Sequence, residues 1–80
     1  MHELSITRSV IDAVAEKAQG SRVIRVRLAI GKQSAVMPDA IRFCFEMCAA
    51  DTPAEGAQLE IEETAGQEML IREMEIEPCA

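Results

Sequence analysis

The chain has 80 residues, 49% of them hydrophobic but only two aromatic, and a formal net charge of −6. That length makes one domain, 1–80, near the lower limit of what folds without disulfide or metal staples. The acidic balance disfavours nucleic acid and anionic membrane surfaces as partners. No run approaches the roughly 18 apolar residues of a membrane span, and no charged-then-apolar leader precedes the first periodic segment, so the expected location is the cytoplasm.

Met1-His2-Glu3 contains the chain's one histidine. A free terminal amine and the amide nitrogen of His2 close a five-membered chelate ring around a metal ion. That amide and the imidazole Nδ1 of the same residue close a six-membered ring. The Glu3 amide nitrogen fills a fourth equatorial position. Four nitrogens in a plane suit Ni(II) or Cu(II) better than tetrahedral zinc. The plain alternative is a terminal histidine that is only solvated.

Leu4 to Gln19 has the period of an amphipathic helix, with Ile6, Val10, Ile11, Val14 and Ala18 on one face and Arg8, Asp12 and Glu16 on another. Gly20 is the expected stop. Arg22 to Ile30 reads as a strand: Ile24, Val26, Leu28 and Ile30 point one way, and Arg25, Arg27 and Ala29 the other. The two arginines are expected on the wet face, paired with glutamates of neighbouring strands. Gly31 to Met37 is a loop, and Pro38 suits the first turn of a second helix.

That helix, Asp39 to Ala50, carries Met37, Ile41, Cys44, Phe45 and Cys48 as an expected core stripe, widened by Phe43 and Met47. Asp51-Thr52-Pro53 ends it. The cysteines are Cys44, Cys48 and Cys79. An odd number without paired spacing argues against a disulfide framework, and no CxxC or second histidine completes a zinc tetrad. Cys44 and Cys48 are expected to be buried, inert thiols, and Cys79 to be exposed.

Gln58 to Glu63 alternates as a strand. Thr64-Ala65-Gly66-Gln67 is a short turn, and Glu68 to Glu77 is a last strand whose apolar phase slips between Ile71 and Met74. Either a bulge near Arg72-Glu73 or burial on both faces reconciles the two phases. The fold class is therefore α+β, in the order α-β-α-β-β: a three-stranded mixed sheet with two helices on one face. The short turn predicts an antiparallel hairpin of the last two strands. The first strand joins through the helical crossover, right-handed if it pairs in parallel. Open strand edges leave room for a homodimer or for exchange of elements between chains. No nucleophile–base constellation suggests an enzyme.

Met1-His2-Glu3-Leu4-Ser5, Val26-Arg27-Leu28-Ala29-Ile30-Gly31, Asp39-Ala40-Ile41-Arg42-Phe43-Cys44-Phe45-Glu46, Gly56 to Glu63 and Glu68 to Ile76 together resemble the HypA/HybF family of nickel metallochaperones for hydrogenase maturation. The resemblance implies Ni(II) held at Met1, His2 and Glu3 and passed toward the active site of a [NiFe] hydrogenase large subunit, with a partner maturation GTPase; some members also supply urease. It also implies a zinc domain with two CxxC pairs between the last two strands. Here no CxxC is present and the last strand follows Glu63 after a short turn. The chain thus resembles the nickel-binding domain with the zinc domain removed near 64–66, and no zinc is expected. The rival reading from another class is a metal-free protein-interaction domain with an incidental His2.

Overall fold

The computed structural model describes residues 2–78; Met1, Cys79 and Ala80, and the side chain of His2, lie outside the described residues. The order is α-β-α-β-β, as expected: α1 (His2–Ala18), β1 (Val23–Gly31), α2 (Pro38–Ala49), β2 (Gln58–Thr64) and β3 (Met69–Ile76).

α1 buries Val10, Ile11, Val14 and Ala18, with Ile6 half-buried. It begins two residues ahead of the expected Leu4 because its first turn is tied down. The buried Thr7 hydroxyl donates to the Glu3 carbonyl at 2.6 Å, and the Met37 N–H donates to Glu3 Oε2 at 3.3 Å. The first bond satisfies a hydroxyl that has no water. The helix ends through Gln19 and Gly20, both left-handed at φ 52° and 88°, the second being the residue expected to stop it.

β1 is the centre of the sheet, whose strand order is β2-β1-β3. It pairs in parallel with β2, with Val26 opposite Leu59 and Leu28 opposite Ile61, and antiparallel with β3. The register to β3 shifts between Arg27, opposite Glu73, and Leu28, opposite Ile71. Arg72 is therefore the extra residue, at the expected bulge. A second irregularity between Val23 and Arg25 corrects the predicted alternation: Val23 is buried and Ile24 faces out. One skipped pairing at the strand's start moves that residue to the other side of the pleat.

The last two strands do not form a hairpin. β1 lies between them, and residues 65–68 step across its end. The β1 edge nearer α2 is taken by β2 through the parallel crossover, which leaves the far edge for β3. Two strand spacings are about 10 Å, and four extended residues reach roughly 13 Å. The crossing is fastened by Gly31 N–H donating to the Glu68 carbonyl (2.7 Å) and Gln33 N–H donating to the Gly66 carbonyl (2.9 Å). A side chain at Gly31 would collide with the Gly66 carbonyl and the Gln67 amide passing over it, so glycine is required there by close approach rather than by its dihedral freedom.

α2 starts at Pro38, whose missing N–H costs nothing in a first turn. It stops where Asp51 turns left-handed at φ 64° and the Thr52 hydroxyl donates to the Ala49 carbonyl at 2.6 Å. Its buried stripe is Ile41, Phe45 and Ala49, narrower than expected. Phe43 and Met47 are 74% and 56% exposed, and Met37 is 63% exposed. Phe43 and Met47 each lie two positions from Phe45, hence about 200° around the helix, and among the described residues no third layer covers that side. Cys44 and Cys48 are free thiols but half-buried, not buried as expected.

The core joins Val10, Ile11, Val14 and Ala18 of α1 and the α2 stripe to Val23, Val26, Leu28 and Ile30 of β1, with Leu59, Ile61, Met69 and Met74 packed around it. The opposite sheet face is charged. Arg25 donates to Glu60 (2.9 Å), Glu73 (3.1 Å) and Glu75 (3.3 Å), and Glu62 lies 3.5 Å from Arg72 and 4.0 Å from Arg27. The arginine–glutamate pairing expected from the strand pattern is thus present. No described helix is long and apolar enough to cross a membrane.

Candidate metal centre

Of the predicted site, Met1 and the His2 imidazole lie outside the described residues, and the backbone from His2 and all of Glu3 lie within them. α1 opens at His2, so the amides of residues 2 and 3 belong to a first turn whose N–H groups have no acceptor within the helix. They are the backbone nitrogens that a terminal chelate would use.

Glu3 fixes where this end of the chain sits. Its carboxylate accepts the Met37 N–H, linking the start of α1 to the residue before α2. Its carboxyl is held below the ordinary carboxylate range, first by its own backbone amide and then by the Met37 amide. An anion here also complements the positive end of the α1 dipole. The segment reaching Met37 is shaped by a 3-10 turn (Lys32–Ser34) and by Ala35, left-handed at φ 66°. The Ser34 hydroxyl donates to the Gly31 carbonyl at 2.7 Å and accepts the Val36 N–H at 3.2 Å.

Glu3 and Met37 are 34 positions apart, and nothing in either residue signals the pairing, so sequence reasoning missed it. Among the described residues no three His, Cys, Asp or Glu side chains converge as metal ligands. The carboxylates most abundant on the surface, Glu60, Glu62, Glu73 and Glu75, are taken up by Arg25, Arg27 and Arg72. A second group lies at the crossing. There the Glu68 carboxyl is held below the ordinary range by the nearby Thr64 hydroxyl, which makes no hydrogen bond of good geometry, and by its own backbone amide.

Residues 1–69 match the family model described as "Hydrogenase/urease nickel incorporation, metallochaperone, hypA". The match begins at the tripeptide and ends on the first residue of β3. The chain is 56% identical over 66 residues to a hydrogenase maturation factor HypA of Nostoc sp., covering 82% of this chain and 58% of that protein. It is 57% identical over 67 residues to the HypA of Crocosphaera subtropica, covering 84% and 59%, and 54% identical over 67 residues to that of Geobacter metallireducens, covering 84% and 61%. The chain therefore spans about three-fifths of the length of these relatives. The solution structure of the Ni metallochaperone HypA from Helicobacter pylori superposes with a TM-score of 0.72 at 18% identity, covering 95% of this chain and 93% of that one. That likeness speaks to the fold; the family model and the relatives speak to descent. A family model matched over residues 1–69, together with relatives more than half identical over 66 and 67 residues, places this chain in the HypA family.

Proposed function

We propose that this chain is a Ni(II) carrier for hydrogenase maturation, holding the ion on the Met1 amine, the His2 amide and imidazole Nδ1, and the Glu3 amide. The observation that carries the reading is that the family match begins at residue 1 and so includes Met1-His2-Glu3. The relatives' name, hydrogenase maturation factor, supports the destination. A hydrogenase large subunit as acceptor and a maturation GTPase as partner belong to the same proposal. Within these 80 residues there is no CxxC to hold zinc, and the carrier role asks for none.

The geometry gives the carrier a built-in resistance. A five-membered ring closed by the His2 and Glu3 amide nitrogens wants the N–Cα–C–N torsion of residue 2 near flat, whereas a helical ψ is about −42°. The N–H groups of a helix start also repel a cation. Loading therefore flattens the backbone at His2 and displaces amide protons. Release lets the turn re-form behind the Thr7 and Met37 contacts of Glu3. Binding releases protons, so affinity falls as pH falls. Cu(II) binds at least as well as nickel in vitro, and selectivity rests with availability and partners.

The test is a nickel titration of protein with an authentic N-terminus, followed by the d–d absorption of a square-planar complex. His2→Ala should lose the band, one residue added before Met1 should change or weaken it, and Glu3→Gln, which keeps the backbone amide, should retain it. Equal binding by the His2→Ala, extended and unaltered proteins would remove the terminal chelate.

A further inference from the structure

The sequence Cys44-Phe45-Glu46-Met47-Cys48 puts three sulfur side chains at positions i, i+3 and i+4 of α2. Such positions are neighbours on a helix surface, with Cβ atoms about 5–6 Å apart. Every Cβ leans toward the helix N-terminus, so the longer Met47 side chain reaches back over the turn that carries Cys44. The burial fits a site at the border between core and water: both thiols are half-buried and free, and Met47 is 56% exposed. The backbone beneath them is anchored by Ile41, Phe45 and Ala49, so the three sulfurs stand on a rigid helix, not a loop.

We infer that Cys44, Met47 and Cys48 form a second, sulfur-only metal site on α2 for a soft monovalent cation, Cu(I) or Ag(I). Two thiolates and a thioether are soft donors, and such sets select Cu(I) over Ni(II) or Mg(II). Among the described residues no third His, Cys, Asp or Glu side chain converges with the two thiols, so a tetrahedral zinc shell is not completed there. With metal–sulfur bonds of roughly 2.3 Å, the thiolates need to stand no more than about 4.6 Å apart, within reach of one helical turn. Each ion displaces two thiol protons to solvent, and no change of oxidation state is involved. The consequence is a division by softness within one small domain. Nitrogen donors at the start of α1 take the borderline divalent ion, while sulfur at the half-buried border of α2 takes copper in the reduced form that thiols favour.

The experiment uses the whole chain with Cys79→Ser, so that only the α2 thiols are counted. It is titrated without oxygen with Cu(I) buffered by bicinchoninate, and separately with Ag(I) as a probe that does not change oxidation state. The expected result is one ion per chain, a thiolate-to-copper ultraviolet band and two protons released per ion. Cys44→Ser and Cys48→Ser should each lose the site. Met47→Leu, a change at an exposed side chain that leaves the core untouched, should weaken binding by about tenfold, equivalent to about 1.4 kcal/mol. His2→Ala should leave Cu(I) binding unchanged, which separates this site from the terminal chelate. Undiminished binding in Cys44→Ser or in Met47→Leu, or one ion bridging two chains, would overturn the assignment.

Discussion

On one face of β1, Val26, Leu28 and Ile30 are shut away from water under two helices; on the other, Arg25 and Arg27 are half-buried among glutamates of both neighbouring strands. The same nine residues are thus held by two kinds of force. The covered face depends on shape, which tolerates little change in volume. The open face depends on charge, which is screened and adjustable. At the strand's end a third constraint appears, the backbone crossing over Gly31.

The largest expected effect lies on the covered face. Leu28→Ala leaves a cavity at a fully buried position and should destabilise the domain by about 2–5 kcal/mol, read from denaturant midpoints at constant slope. At the end of the strand, Gly31→Ala forces the connection at 65–68 to move. About 1–3 kcal/mol is expected from overpacking of this kind. Adding two or three residues to that connection should restore part of the loss, which a cavity or a propensity effect would not.

On the open face, Arg25→Gln should cost more than Arg27→Gln. Arg25 holds three carboxylates, whose approach to one another is otherwise repulsive, and they draw its pKa upward, first through Glu73 and then through Glu75. Added salt should shrink the Arg25→Gln deficit and leave that of Leu28→Ala unchanged. A salt-independent Arg25 effect would mean that its stem packing matters more than its charge. The smallest effect is local. The Glu3–Met37 contact is fully present above the ordinary carboxylate pKa and weakens as pH falls from there through the lowered folded value. The Met37 amide resonance should report that acid titration, and Glu3→Gln should abolish it.

Much of this was legible in advance, for reasons that differ from residue to residue. Pro38, Gly20 and the phase slip at Arg72 act through local backbone chemistry, so their positions could be read directly. The placement of β3 could not be read from the shortness of its turn, because the competing factor was which edge of β1 remained free. One signal was available: Leu28-Ala29-Ile30-Gly31 carries no charged or polar side chain, and a continuous apolar run is the mark of a strand inside a sheet more than of one at its edge. The exposure of Phe43 and Met47 was misread because their type suggests core while their angle around the helix points away from it. For the candidate site, the proposed ligands, three adjacent residues, were nameable from the sequence. The Met37 amide that anchors Glu3 was not, since only the fold brings it there.

Because the connection at 65–68 runs over β1 instead of folding back as a hairpin, its two ends are held about two strand widths apart. Anything spliced into it, as the family resemblance implies for a zinc domain near 64–66, would stand on two separate legs astride the end of β1. A body mounted that way resists swivelling and keeps a set orientation. It would also sit over Gly31 and Gln33, whose backbone the present crossing already grips, six and four residues before Met37, the residue that anchors Glu3.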